Sequence, residues 1–274
     1  MGRSGDRYCR ATFRYHGGLD VVPVECDVLD GRSPSAPRDF ERHGFDFVDA
    51  PSAVDDWTDQ SQIDQVVRPE FGEFVRTHVG CDTAVVFPFI ARSEAAAADV
   101  ADYGPIEFVH SDFTDDYGPM VTEDDRPYRK FLDPLLASQG LDRDLVTSAS
   151  RLAVVQGWRN TGPTQADMPL AVCDATSVDR SRLIAEVIPY YGGLRLDFEI
   201  YAVRPPAGDA PDRWYTFPAM QSNEMIVLRT YDSACADEGR PFWTPHSAFR
   251  DPHVAATPDT RRESVEVRAL CVWN

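Results

Sequence analysis

A chain of 274 residues with 43% hydrophobic content is long enough to bury a core as one large β domain or two small ones. Its formal net charge of −18 argues against a nucleic-acid partner, because binding phosphates needs a basic surface and this one repels them. The six cysteines (Cys9, Cys26, Cys81, Cys173, Cys235, Cys271) contain no CxxC pair, which speaks against a zinc ribbon or a disulfide framework and fits a reduced cytoplasm.

Met1 to Asp6 lead into no apolar run, and no stretch of about 18 apolar residues follows, so neither secretion nor membrane spanning is expected. Residues 8–30 read as a hairpin at a sheet edge: Tyr8 to Tyr15, a turn at His16-Gly17-Gly18, then Leu19 to Val28 interrupted by Pro23. A Gly/Ser/Pro loop at 31–37 precedes a short helix from Arg38, stopped by Gly44. Helical periodicity runs from Asp55 to Gly80 through Ile63, Val66, Val67, Phe71, Phe74 and Val75, with Pro69 dividing it into two segments. The apolar run Thr83 to Ile90 reads as one buried strand ending at Arg92, and the alanine-rich Ser93 to Val100 as a helical turn or a loop.

In Val109-His110-Ser111-Asp112-Phe113-Thr114 an extended backbone sends His110 and Asp112 to one side and Ser111 to the other. An imidazole nitrogen and a carboxylate oxygen so placed hold Fe(II) when a second histidine completes a facial triad, but the tripeptide also suits a surface strand with a hydrogen-bonded pair. An acidic loop at 115–125 and helices near 127–138 and 142–149 then form an insertion of about 115–149, expected outside the barrel near its mouth, where such segments act as lids. Strands follow at Leu152 to Arg159, Leu170 to Asp174, Leu194 to Val203, Arg213 to Phe217 and Glu224 to Tyr231, separated by Gly/Pro/Asp turns. The aromatic strand Phe242 to Phe249 carries His246. The last strand alternates cleanly, with Arg262, Ser264, Glu266 and Arg268 on one face and Val265, Val267, Ala269 and Cys271 on the other. That polar face is either solvated or the anion-binding wall of a barrel lumen.

Taken in order, His110-Ser111-Asp112, Gly157-Trp158-Arg159-Asn160, Pro169-Leu170-Ala171-Val172-Cys173-Asp174, Trp214-Tyr215, Tyr231-Asp232-Ser233, Thr244-Pro245-His246-Ser247-Ala248-Phe249 and Arg262 to Arg268 resemble the CmcJ/AsaB-like hydroxylase/desaturase family. The resemblance runs from about Ile90 to the C-terminus and is thin before it, apart from His43-Gly44-Phe45 and Arg92. It implies a mainly β fold with peripheral helices, a double-stranded β-helix (jelly-roll, cupin-like), as a single domain over 1–274 with an N-terminal elaboration over about 1–90. It also implies a nonheme Fe(II)/2-oxoglutarate-dependent dioxygenase that hydroxylates, desaturates or oxidatively cyclises a small secondary metabolite. Dioxygen is consumed, 2-oxoglutarate is decarboxylated to succinate, and ascorbate serves as the reductant in vitro.

The metal ligands implied by the resemblance are His110, Asp112 and His246. The other histidines, His16, His43, His78 and His253, lie outside the matching motifs. For the cosubstrate carboxylate, the arginine fork and hydroxyl of Arg262-x-Ser264 share a strand face. The interval from His246 is longer than the commonest pattern, so Arg268 competes for the role, and Arg159 is a third candidate. Trp158, Trp214 and Tyr215 are the expected substrate contacts, with Phe217 near them. An aspartate at position 112 argues against halogenation, which needs that position free for halide. Two other classes share these strands: a metal-binding cupin-like isomerase and a non-catalytic jelly-roll partner subunit.

Overall fold

The computed structural model describes residues 7–274 apart from 38, 192–196 and 209, and its alternating segments form two facing sheets. The larger sheet runs, in spatial order, β1 (Arg7–His16), β2 (Val21–Asp30), β11 (Trp214–Thr216), β8 (Leu170–Cys173), β13 (His246–Ala248), β6 (His110–Ser111), β10 (Phe198–Val203) and β9 (Leu183–Ile188). The smaller runs β3 (Phe45–Asp49), β12 (Glu224–Asp232), β7 (Arg151–Asn160), β14 (Ser264–Trp273) and β4 (Thr83–Val86), with β5 (Ile90–Arg92) also paired to β14. This is the jelly-roll the sequence motifs imply. The β1–β2 hairpin curls back so that Arg14 bridges Phe108, and it encloses Phe13, Tyr15, Cys173 and Trp214 against the outer face of the larger sheet.

The helices cover or plug what the sheets leave open. A short helix, α1 (Phe40–His43), ends at Gly44, whose φ of 82° is the left-handed conformation glycine adopts without strain. The long helix α2 (Gln60–Val79) lies over the outer face of the smaller sheet, burying Ile63, Val67, Phe71 and Val75 against Val265, Val267, Ala269 and Cys271. Pro69 does not divide it. The apolar stripe continues on both sides of the proline, so packing on the sheet outweighs the one backbone bond that proline removes. The alanine-rich stretch forms α3 (Glu94–Asp99), capped by Ser93.

Other boundaries differ from the sequence reading for local reasons. The run 83–90 is two strands: Pro88 cannot donate to the ladder, and Phe87 to Phe89 bulge between the pairings Val86↔Ala269 and Ile90↔Glu266. Only His246–Ala248 of the aromatic segment 242–249 is strand. Strands β3 and β9 were not anticipated, since each is short and gains its order from its neighbour. The start of the expected 194–203 strand, Arg38 and Met1 to Asp6 lie outside the described residues.

The segment 115–149 holds α4 (Tyr117–Thr122), which falls in the expected acidic loop, then α5 (Arg129–Ser138) and α6 (Asp144–Thr147). It packs onto the sandwich. Tyr117, Val121, Leu132, Leu136 and Val146 pack with Leu152, Val154, Leu270 and Val272 from the smaller sheet and so close one end of the sandwich. A last helix, α7 (Ser233–Asp237), is capped by Asp232. Because Leu132 is fully buried, Leu132→Ala should cost about 2–5 kcal/mol in thermal or urea unfolding. A loss below about 0.5 kcal/mol, the scale of a surface change, would show that this packing adds little to the fold.

Candidate metal centre and active site

Strand register brings the histidines together. His110 on β6 stands directly across from His246 on β13, and β10 flanks β6 on its other side through Ala202. Asp112 lies one residue past the end of β6 and keeps the side expected of an extended chain. Its Oδ1 is 3.6 Å from His110 Nε2 and 3.8 Å from His246 Nε2. The three potential ligand atoms all lie within 4.8 Å of one another.

The hydrogen bonds fix which ring nitrogen faces inward. His110 Nδ1 is 2.7 Å from the Phe108 carbonyl and His246 Nδ1 is 3.0 Å from the Thr244 carbonyl. A carbonyl only accepts, so each Nδ1 donates to it and each Nε2 is the ring nitrogen turned toward Asp112. Burial, and then the neighbouring His246, push His110 down to about 4, so it is neutral near pH 7. Burial opposes ionisation of Asp112, but Arg268, His246 and His110 together hold its carboxyl well below the usual carboxylate range. Two imidazole nitrogens and one carboxylate oxygen form the donor set of a facial triad. The residues therefore fit a divalent iron.

Around the triad runs a chain of buried charge. Asp112 Oδ2 accepts from Arg268 Nε (3.0 Å) and Nη2 (2.9 Å). Arg268 Nη2 also reaches Glu266 Oε1 at 3.1 Å, and Arg92 Nη2 reaches the same oxygen at 2.8 Å. Gln156 donates to Glu266 Oε2 and Arg92 to the Tyr191 hydroxyl. Burial disfavours the charge on Glu266, yet Arg92 and Arg268 hold its carboxyl down to about 2. Glu266 lies on the polar face expected from strand alternation, while no local pattern marks a role for it, Gln156 or Tyr191. A buried Glu between two arginines is legible only once β5, β7 and β14 are side by side.

Arg262 differs from Arg268. It precedes β14, is 4% exposed, donates to Ser264 Oγ (3.2 Å) and the Met168 carbonyl (3.3 Å), and lies over the Trp158 ring at 5.2 Å. Among the described residues no carboxylate comes within ion-pair distance of its guanidinium. Asp167 instead accepts from the Arg262 backbone amide and pairs with Arg261. Burial, then the like charge of Arg92, push Arg262 down to about 9. A narrow cleft joins Arg262 to the triad past Gln156, Trp158, Leu170 and Ser247.

Three expected site residues stand elsewhere. Arg159 points to the opposite face of the smaller sheet, bonded to the Ala50 and Ser222 carbonyls and stacked over Trp57, because strand alternation separates it from Trp158. Trp214 stacks on Phe13 at 4.2 Å under the N-terminal hairpin, and Tyr215 packs against Phe45 between the sheets. The large cavity beside the triad, about 230 Å³, is lined instead by Phe87, Phe89, Phe113, Tyr128, Phe131 and Phe198, with Ile90, Ile188, Ile200, Arg268 and others. The Phe87-Pro88-Phe89 bulge and the amphipathic α5 were the available signals for that wall. His16, His43, His78 and His253 each contact a carboxylate or an aromatic ring outside the site.

A jelly-roll with two histidines and an aspartate converging between its sheets defines the class of mononuclear, nonheme metal oxygenase scaffolds. Residues 11–272 match the family described as "Oxidoreductase/YMDC permease-like domain". The chain is 30% identical to the alpha-ketoglutarate-dependent dioxygenase phiK of a fungal species (Fungal sp.) over 263 residues, covering 93% of this chain and 85% of that protein. It is 26% identical to hydroxylase/desaturase CTB9 of Cercospora beticola, covering 85% of this chain and 72% of that one. Its fold superposes on the iron and alpha-ketoglutarate-dependent endoperoxidase NvfI with a TM-score of 0.73 at 20% identity, covering 98% of this chain and 99% of the other; a dioxygenase of that name comes from Aspergillus novofumigatus. The chain belongs to this hydroxylase/desaturase family of Fe(II)/2-oxoglutarate-dependent dioxygenases. No described helix is long and apolar enough to cross a membrane.

His246→Ala should leave the circular dichroism spectrum and melting behaviour near those of the parent, yet weaken Fe(II) or Mn(II) binding by about tenfold or more and abolish turnover. Retained turnover in that variant would remove His246 from the ligand set.

Proposed function

We propose that His110, Asp112 and His246 hold Fe(II), that Arg262 with Ser264 holds the distal carboxylate of 2-oxoglutarate, and that a small, largely apolar metabolite occupies the cavity beside them. The observation that carries the cosubstrate assignment is the buried Arg262 guanidinium with no carboxylate at ion-pair distance among the described residues. A cation taken out of water without a counter-charge is costly, and an arriving carboxylate relieves that cost with charge-assisted hydrogen bonds. Arg268, the competing candidate, is already committed to Asp112 and Glu266. The cleft between Arg262 and the triad is narrow, about 20 Å³.

When bound, the iron with 2-oxoglutarate and dioxygen supplies the oxidising chemistry, with succinate and carbon dioxide as co-products. The protein's own groups position and exclude. His110, His246 and Asp112 present donors from β6, β13 and the residue just past β6, so the metal site needs little rearrangement. The aromatic wall keeps water from the reacting carbon. No side chain is assigned as a general base, since the bound group would supply the chemistry and the protein's residues would position it. An apolar cavity of about 150 Å³ holds a benzene ring, so about 230 Å³ suits a fused or branched apolar skeleton rather than a charged metabolite. Hydroxylation, desaturation and oxidative cyclisation are all open to such a substrate. Six buried thiols without a disulfide support a reducing, cytoplasmic compartment.

Succinate formation with Fe(II), ascorbate and varied 2-oxoglutarate tests the assignment. Each charge-assisted bond lost should cost roughly 1.5–3 kcal/mol, so Arg262→Ala should raise the apparent 2-oxoglutarate constant by about tenfold to a hundredfold or more while iron still binds. Arg262→Lys should recover only part of the affinity, lacking the planar fork. An unchanged constant in Arg262→Ala would take the clamp away from this residue.

A further inference from the structure

We propose that Arg268 is a positioning residue that limits Asp112 to a one-oxygen grip on the metal, and thereby keeps open a coordination position that a chelating carboxylate would close. The inference rests on the ligand set His110, Asp112 and His246.

The two oxygens of Asp112 face different partners. Oδ1 is turned to the Nε2 atoms of His110 and His246, at 3.6 and 3.8 Å. Oδ2 accepts two N–H bonds from Arg268, at 3.0 and 2.9 Å. A carboxylate can bind a cation through one oxygen or both, and here the second oxygen has its lone pairs engaged. Three protein donor atoms leave about three positions of an octahedron open, and a chelating aspartate would leave about two.

The latch is itself anchored. Arg268 Nη2 touches Glu266 Oε1 at 3.1 Å, and Glu266 is held by Arg92 at 2.8 Å and Gln156 at 3.3 Å. Arg92 in turn bonds the Tyr191 hydroxyl at 2.6 Å and the Gly104 carbonyl at 3.3 Å. The guanidinium is therefore fixed by groups on β5, β7 and β14 and cannot follow Asp112 if the carboxylate turns. An ammonium at the same place would offer a point charge and lose the paired geometry.

Mn(II) is the probe, read by water-proton relaxation for exchangeable waters and by electron paramagnetic resonance for affinity. The unmodified protein with Mn(II) and no cosubstrate should carry about three exchangeable waters, a reading that needs no variant to fold. Arg268→Gln should bind Mn(II) with about one water fewer and bind 2-oxoglutarate about tenfold more weakly, with Arg268→Lys between the two. About two waters on the unmodified protein, or an unchanged count in metal-loaded Arg268→Gln, overturns the latch. Asp112→Ala separates the two levels. If it binds Mn(II) like the parent, the ligand set fails and the latch with it; if it loses Mn(II) while Arg268→Gln keeps every water, only the latch fails.

Discussion

The line of alternating charge Asp112–Arg268–Glu266–Arg92 is the constraint on which the site depends. It crosses from the larger sheet, where Asp112 follows β6, to β14 and β5 of the smaller one, so it ties the two sheets together where His110, Asp112 and His246 converge. Removing a charge from water costs several kcal/mol, and the line survives burial because each charge has an opposite neighbour in hydrogen-bonding geometry. Its two cations and two anions cancel. Among the described residues Arg262 has no such partner, which is the basis on which the cleft is proposed to take an anion.

The same strand serves core and chemistry because side chains alternate across a sheet. Val265, Val267, Ala269 and Cys271 of β14 are sealed beneath α2, which leaves Ser264, Glu266 and Arg268 no direction but between the sheets. A one-residue slip in the pairing of β14 with β7 would turn the charges into the α2 interface and the valines into the cleft. The apolar contact under α2 thus orients the polar residues on the other side. Gly157 contributes to it: a Cβ there would meet Met225 Sδ and Phe71 Cε2 at 2.6 Å, where the helix packs close to the sheet.

Several motif residues that resemble the family's do structural work. Asp174 accepts from Arg213 and lies 3.0 Å from His43 Nδ1, which brings the segment 43–45 beside β8. The Thr244 hydroxyl lies 2.8 Å from the Gly44 carbonyl and 2.6 Å from that of Arg229, while the Thr244 carbonyl orients the His246 ring. Asp232 caps α7 and pairs with Arg151. These contacts fix the loop that delivers the second histidine.

Sequence by itself determined what depends on near neighbours and on ordered motifs. The period-two pattern of β14, the shared side of His110 and Asp112 and the Gly44 helix stop were legible because alternation and capping act over a few residues, and the jelly-roll class was legible through the ordered motifs that resemble the family. Tertiary structure alone decided which arginine is spare and which is committed, since Arg262 and Arg268 look alike on one strand face until Asp112 and Glu266 arrive beside one of them. It also decided which aromatics line the cavity beside the triad. Trp214 and Tyr215 were the obvious aromatics, yet sheet packing turned them into two different cores, while Phe87 and Phe89, on a proline bulge, and Tyr128 and Phe131, from the helical insertion, took the cavity. A side chain's burial partner depends on long-range pairing that no local spacing encodes.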